Sequence, residues 1–491
     1  MKLDSLLSST ATIQVDGPRD REITSIAYDS RRVEPGSLYV ALKGEKVDGT
    51  SFIDSAVQRG AVAIVSEQGT ARTTATHVVV PKSREALADL AAAFYQQPSR
   101  ALKLAGITGT NGKTTTAFLI KHICEKALLR CGLIGTVHYQ IGDRIIPAAR
   151  TTPESLEVHE LLWQMRSAGC KAAVMEVSSH ALVQARVRGV EFDAALFTNL
   201  TQDHLDYHKT MEEYFSAKAQ LFSATAQQAK KRGRAVINLD DRFGARLAQQ
   251  FQKELPVTTY GVGVHADFRA SNVRIDFHGS SYQLDAVGRS YLVRLPLIGQ
   301  FNVYNSLAAI AGAHAMGVDV RSAVLALADA PAVPGRLEPV PAQRQFKIFV
   351  DYAHTDDALL NVINTCRELK PARLIVVFGC GGNRDTGKRP RMGAVVNQHA
   401  DYAIVTSDNP RKEDPLAIIE DIKPGLTHGN YEVIVDRREA IQRAIAMAQP
   451  RDIILIAGKG HETYQEFAEK TVSFDDVAVA SQALEAKRVE L

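Results

Sequence analysis

Short apolar runs alternate along this chain with stretches in which apolar residues recur every three or four positions, a pattern that predicts an α/β protein. Near the start, SIAYDS, SLYVALKG, AVAIVSE and HVVVP read as strands, and residues 84–95 (REALADLAAAFY) read as a helix stopped near Pro98. An apolar run at 102–107, broken by one Lys, leads into a helical pattern from Lys113. CGLIGTV, CKAAVMEVSSH and FDAALFTNL follow as β-rich runs with polar ends, then a meander over 268–297 and a helix near 302–316. Pro331-Ala-Val-Pro334-Gly335 is a linker by composition, after which the pattern restarts. FKIFVDYAH, RLIVVFGCGGNRD, YAIVTSDNPR, YEVIVD and DIILIAGKGHE read as strands, with helices near 358–369 and 438–448. Three α/β domains are expected, at 1–98, 99–332 and 333–491, with a mostly parallel sheet in the second. In such sheets ligands lie beyond the carboxyl ends of the strands, so the polar tips of these runs are the candidate chemistry.

One tip stands out. LAGITGTNGKTTT, residues 104–116, is a strand, a glycine turn and a helix start in sequence. Glycines 109 and 112 let backbone N–H groups approach an anion without a Cβ in the way, and the helix N-terminus points at it. Lys113 is placed for the β/γ-phosphates and the Thr114 hydroxyl for Mg²⁺. The spacing departs from G-x-x-x-x-G-K-T: position 107 is Ile, and the glycines fall at 106 and 109. Glu176, in EVSSH, is a strand-end carboxylate of the kind a Mg²⁺ site needs, and His204 in TQDHLDYH is a further candidate metal ligand. Gly379-Cys-Gly381-Gly382 does not have the G-x-G-x-x-G spacing of a dinucleotide site.

Composition narrows the class. A formal charge of +3 over 491 residues argues against nucleic acid as partner, and the basic run 230–234 reads as a solvated loop. The five cysteines show no CxxC or zinc spacing, so reduced thiols in a cytoplasmic protein are expected. MKLDSLLSSTATIQV has no sustained apolar core, so no signal peptide is expected, and no run approaches a membrane span. The residues alone lead to an ATP-dependent, Mg²⁺-using multidomain enzyme with an unnamed acceptor.

GTNGKTT, EVSSHAL, NLTQDHLDYH, GQFNVYN, PGRLE, DYAHT, DNPR and GKGHE stand in the order found in the Mur ligases, which the chain resembles over nearly its whole length. The resemblance implies an N-terminal uridine-nucleotide-binding α/β domain, a central P-loop ATPase domain and a C-terminal Rossmann-like α/β domain. It is strongest to the members that add meso-diaminopimelate to the D-Glu side-chain carboxylate of UDP-N-acetylmuramoyl-L-Ala-D-Glu through an acyl phosphate, with ATP and Mg²⁺. By that resemblance Gly109, Thr110, Asn111, Gly112, Lys113, Thr114, Thr115, Asn302, Arg336 and Asp351 bind ATP. Thr114, Glu176 and His204 ligate metal, with Lys218 as its carbamate, N6-carboxylysine; Lys113, Glu176, His204 and Lys218 form the catalytic set. From helical pattern alone Lys218 is a surface lysine. Tyr28, Ser30, Glu45, Lys46, Val47, Arg150, Thr151, Thr152, Ser178, Gln184 and Arg186 match contacts to the nucleotide-linked dipeptide. Arg389, Asp408, Asn409, Pro410, Arg411, Gly458 and Glu462 match the diaminopimelate site, in which Arg411 forks onto the distal carboxylate. Asp356 stands where the family usually has Pro, and since Asp suits a helix N-terminus the helix start is expected to survive. A monomer is expected. The alternatives are a lysine-adding Mur ligase or a folylpolyglutamate synthase and, in another class, a nucleotide-binding switch; against the switch, no N-K-x-D follows the loop.

Overall fold

The computed structural model describes residues 1–44, 48–69, 73–203, 205–263, 265–341 and 345–489. The chain divides into two compact units: Met1–Arg269 with Asp285–Ser290 and Tyr304–Ala326, and Ala270–Leu284 with Tyr291–Val303 and the chain from Leu327. Each is treated by itself.

The first unit begins with strands β1 (Gln14–Asp16), β2 (Ser25–Ala27), β3 (Ser37–Val40), β4 (Ala63–Ser66) and β5 (Thr76–Val79). They pair in the order β1-β5-β4-β3-β2, parallel except at β1. Helix Ser83–Phe94 presents Ala86, Leu87, Leu90 and Ala91, the one stripe its three-to-four-residue spacing makes continuous, to the core formed with Leu38, Val40 and Val65.

A second sheet contains β6 (Lys103–Thr108), β7 (Cys131–Ile134), β8 (His138–Ile141), β9 (Arg144–Pro147), β10 (Ala172–Glu176), β11 (Ala194–Phe197), β12 (Arg234–Asn238) and β13 (Val257–Gly261). Their order is β13-β12-β11-β6-β10-β7-β8-β9, with β13 to β7 parallel and the β8 and β9 pairings antiparallel. Strand β6 lies between β10 and β11, and its residues from Leu104 to Thr108 are all buried. That is why it reads as a continuous apolar run. Strands β14 (Phe268–Asp276), β15 (Gly279–Ala286) and β16 (Arg289–Leu295) make the expected meander, and helix Gln300–Ala315 follows.

The last sheet, in the second unit, contains β17 (Glu338–Pro339), β18 (Lys347–Asp351), β19 (Leu374–Phe378), β20 (Tyr402–Val405), β21 (Tyr431–Val433) and β22 (Ile453–Ala457). The order β17-β18-β22-β19-β20-β21 is parallel except at β17. A two-stranded ribbon, β23 (Tyr464–Glu466) with β24 (Thr471–Ser473), follows. The helix after β18 starts at Asp356 as expected: Thr355 caps it by accepting from Ala358 N at 3.3 Å, and Asp356 pairs with Arg391 at 3.1 Å. All five cysteines are free and buried. Among the described residues no helix is long and apolar enough to cross a membrane.

Candidate functional site

The glycine turn connects the buried end of β6 to helix Lys113–Lys126. Gly109 and Gly112 hold φ of +146° and +85°, the region L side chains rarely adopt. A Cβ at Gly109 would run into Thr198 Oγ1, and one at Gly112 into Asn305 Oδ1. The turn is braced by the strand-end loop after β11. Thr198 Oγ1 donates to Asn111 O at 2.7 Å, Asn111 N donates to Asn199 Oδ1 at 2.9 Å, and Thr110 N donates to Asn199 O at 2.9 Å. Thr115 is buried on the first helical turn.

Two lysines converge on one carbonyl. Lys113 Nζ donates to Gly109 O at 2.8 Å and to Thr110 O at 2.7 Å, so its ammonium lies across the turn. Lys218 Nζ donates to the same Gly109 O at 2.8 Å. The helix pattern reads Lys218 as a surface residue, but helix Met211–Gln227 buries it on one face with Tyr214, Phe215, Leu221 and Phe222, leaving it 2% exposed. Its ammonium is 4.4 Å from the Tyr214 ring centroid. Burial, with the neighbouring Lys113 charge, pushes its pKa well below the usual lysine value, and Asp203 only partly opposes this.

Glu176, at the end of β10, closes the other side. Its Oε2 accepts from Thr114 Oγ1 at 2.9 Å and from Thr136 Oγ1 at 3.1 Å, while Oε1 accepts from Thr136 N at 2.8 Å. A hydroxyl and a carboxylate side by side are hard oxygen donors. They fit Mg²⁺, which takes one or two protein oxygens and completes its shell with phosphate and water. Among the described residues no group of three or more His, Cys, Asp or Glu is placed to hold a metal by itself. His204 lies outside the described residues, as do Glu45, Lys46 and Val47.

The residues matched to the nucleotide-linked dipeptide fall in two groups. Thr151 Oγ1 is 3.1 Å from Thr136 Oγ1; Thr152 Oγ1 donates to Glu176 O at 2.7 Å and accepts from Ser178 N at 3.1 Å. Arg186 donates to Thr152 O at 2.9 Å and to Gln184 Oε1 at 2.6 Å, and Arg150 donates to Glu154 Oε1 at 2.6 Å. The structure therefore brings Arg150, Thr151, Thr152, Ser178, Gln184 and Arg186 into one bonded group. Tyr28 donates to Glu157 at 2.9 Å, and burial followed by the Glu157 charge raises its phenol pKa. Ser30 is buried at the start of a short 3₁₀ turn that Asp29 caps.

In the second unit Asp351 ends β18 and accepts from Leu337 N at 2.6 Å and Ala353 N at 2.8 Å; burial raises its pKa against the pull of Arg336. The Arg336 guanidinium stacks 5.0 Å from the centroid of Tyr352. Asn302 is buried and donates to Ile298 O at 2.8 Å. The DNPR turn follows β20. Asn409 donates to Glu462 at 2.8 Å and accepts from Lys459 Nζ at 2.9 Å, and Lys459 reaches Glu462 at 3.2 Å. Asp408 Oδ2 is buried with no hydrogen-bond partner among the described residues, and it packs where a Cβ on Gly458 would sit. Pro410 O accepts from Glu413 N at 3.0 Å. Arg411, at φ +53°, donates through Nε to Glu466 at 3.0 Å and through Nη1 to Gly382 O at 2.9 Å. Among the described residues its Nη2 donors are left without a hydrogen-bond partner. Arg389 differs: it is 1% exposed, and its two Nη groups are held by Asp421 at 2.8 Å and Glu413 at 2.9 Å.

Sequence reasoning passes over Tyr214, Thr136 and Glu154, and marks Lys459 only as a polar tip. Each looks ordinary in sequence and acquires its place through partners distant in the chain. The basic run 230–234 is also more than a solvated loop, because Lys231 donates to Leu102 O at 2.5 Å and to Asp193 at 2.6 Å.

Three family models match the chain. The Mur ligase middle domain matches residues 107–313, the glutamate ligase domain of Mur ligases matches 335–460, and the Mur ligase family catalytic domain matches 22–95. The chain is 45% identical over 491 residues to the UDP-N-acetylmuramoyl-L-alanyl-D-glutamate--2,6-diaminopimelate ligase of Syntrophomonas wolfei subsp. wolfei, covering 99% of this chain and 100% of that one. To the ligase of the same description from Geobacillus kaustophilus it is 47% identical over 491 residues, covering 99% of each. A solved structure of a ligase of that description superposes with a TM-score of 0.73 at 33% identity, covering 99% of each chain.

Proposed function

The chain belongs to the Mur ligase family, and from that premise we propose that it joins meso-2,6-diaminopimelate to the D-Glu side-chain carboxylate of UDP-N-acetylmuramoyl-L-alanyl-D-glutamate, converting ATP to ADP and phosphate. It is an ATP-dependent acid–amino-acid ligase of peptidoglycan precursor synthesis. The observation that carries the reading is the turn at Gly109–Lys113, with the Thr114–Glu176 hydrogen bond of 2.9 Å beside it.

A carboxylate is a poor acylating agent because its leaving group would be oxide. Transfer of the γ-phosphoryl group of ATP to a carboxylate oxygen gives an acyl phosphate. The amine then attacks the carbonyl carbon, and phosphate leaves with that oxygen. Both steps crowd anions together. The amides of Gly109 to Thr115 and the Lys113 ammonium hold the phosphates and offset that charge. Thr114 and Glu176 would hold Mg²⁺, which supplies Lewis-acid neutralisation of the phosphate oxygens. Lys218, whose charged form is disfavoured by burial and by the neighbouring Lys113, adds CO₂ with loss of a proton and becomes the carbamate, an oxygen donor in place of an ammonium. Asn302, Arg336 and Asp351 contact ATP in this reading. Thr151, Thr152, Ser178, Gln184, Arg150 and Arg186 hold the sugar-peptide, and Tyr28 and Ser30 the uridine end.

Residues 1–98 then serve the uridine nucleotide, 99–332 ATP, and 333–491 the incoming amino acid. Diaminopimelate differs from lysine by a distal carboxylate, and Arg411 is placed to select it through its remaining donors, with the Asn409–Lys459–Glu462 network taking the amino-acid polar groups. Arg389 lies alongside Arg411 in the diaminopimelate site, its guanidinium oriented by Glu413 and Asp421. The protein works as a cytoplasmic monomer. Purified protein with ATP, Mg²⁺ and the UDP-linked dipeptide is assayed for ADP release against diaminopimelate, lysine and glutamate. Release with diaminopimelate alone is expected; equal release with lysine, or release without any amine, overturns the reading.

A further inference from the structure

Glu154 follows Thr151-Thr152 and is the residue preceding helix Ser155–Ser167. A carboxylate in that position is well placed to cap the helix, but Glu154 makes no side-chain capping bond. It faces arginines instead. Oε1 lies 2.6 Å from Arg150 Nη1 and 3.3 Å from Arg186 Nε, and Oε2 lies 3.2 Å from Arg84 Nη1. The side chains of Glu154 and Arg186 are 10% and 11% exposed, while those of Arg84 and Arg150 are 32% and 54% exposed. One carboxylate among three guanidiniums leaves the group net positive. Arg186 is also tied to the backbone of Thr152 and to Gln184, so the group is continuous with the residues proposed above for the sugar-peptide. Arg84 comes from helix Ser83–Phe94, which packs on the first sheet, and belongs to no motif of the sequence.

We propose that Glu154 is a positioning residue that sets Arg84, Arg150 and Arg186 as one preorganised cationic site for the carboxylate-bearing dipeptide end of the nucleotide substrate, and that Arg84 is a further member of that site. The inference rests on the proposed function. A fixed array of guanidiniums meets planar carboxylates without first losing rotamer entropy, and a lone carboxylate holding three of them supplies that order. Glutamine at this position keeps the shape and loses the charge.

The test is steady-state kinetics of Glu154→Gln, Glu154→Asp and Arg84→Met, with melting temperatures alongside. Glu154→Gln is expected to raise the KM for UDP-N-acetylmuramoyl-L-Ala-D-Glu about tenfold. Its kcat stays within about twofold, and the KM values for ATP and diaminopimelate do not move. Glu154→Asp recovers part of the loss. Arg84→Met, at a partly exposed side chain that leaves folding intact, raises the same KM about threefold. A purely structural Glu154 would lower the melting temperature and leave that KM unchanged, or move all three KM values together; either result overturns the proposal, as does an unchanged KM in Arg84→Met. Wild-type turnover of the dipeptide substrate with unchanged variants removes this inference alone, whereas no wild-type turnover removes the proposed function with it.

Discussion

Replacing Arg411 with alanine separates selection from stability. The left-handed φ of +53° is no reason for the variant to unfold, because Arg and Ala both carry a Cβ and share the strain. The backbone N–H of residue 411 still donates to Glu466 O, at 3.0 Å here. The side-chain ion pair with Glu466 is lost, but Glu466 is 42% exposed, so the cost is about 0–1 kcal/mol. Binding is another matter. Arg411 is 19% exposed, and its Nη2 donors face no acceptor among the described residues. Truncating one partner of such a desolvated charge pair costs about 2–5 kcal/mol, which is about 30-fold to several thousandfold in affinity. The assay is ADP release as diaminopimelate and ATP are varied in turn. The KM for diaminopimelate should rise by at least about 30-fold with the KM for ATP unchanged and the melting temperature nearly so. Arg411→Lys restores charge without the planar fork and should recover only part of the loss. Equal damage to both substrates, or none to either, refutes the assignment.

Other outcomes follow from the same geometry. Gly109→Ala should cost about 2–3 kcal/mol through positive-φ strain and the displaced Thr198 hydroxyl, and should abolish binding of a non-hydrolysable ATP analogue measured by calorimetry. Lys218→Met should keep or raise the melting temperature while turnover is lost, and labelled bicarbonate should give a carbamate NMR signal in the wild type that the variant lacks. His159 is fully buried, its Nε2 lies 3.0 Å from Arg188 O, and desolvation lowers its pKa from 6.5 to about 4. The unfolded chain then binds more protons between those values, so stability falls as pH drops through that window, by up to about 3 kcal/mol. Urea unfolding against pH should show that slope, and His159→Gln should flatten it.

Strands are legible in the sequence wherever both faces are covered. β6, β10, β19 and β22 are buried over nearly every residue and so appear as unbroken apolar runs. Strand β1 and helix Leu3–Leu7 are not legible, because three to five residues carry too little periodicity. The phosphate turn is readable from its glycines despite the shifted spacing, because only glycine tolerates the φ at 109 and 112 next to Thr198 and Asn305. Lys218 is not readable from its helix: a lysine in an amphipathic pattern counts as polar, and only the approach of Gly109, over a hundred residues earlier in the chain, makes the buried position intelligible. Arg389 is readable as a charged strand-tip residue, but its acidic partners Asp421 and Glu413 are not, because no motif joins them to it. Asp356 changes little because the helix start depends on the Thr355 cap.

In the proposed reaction ATP activates the D-Glu side-chain carboxylate by phosphorylation beside the Gly109–Lys113 turn. That step is tested most directly by preparing the UDP-linked dipeptide with heavy oxygen in the carboxylate and weighing the phosphate released as diaminopimelate is added. An acyl phosphate requires each phosphate to leave with one labelled oxygen. Phosphate that emerges unlabelled, while the amide product forms at the same rate, would contradict activation by phosphorylation.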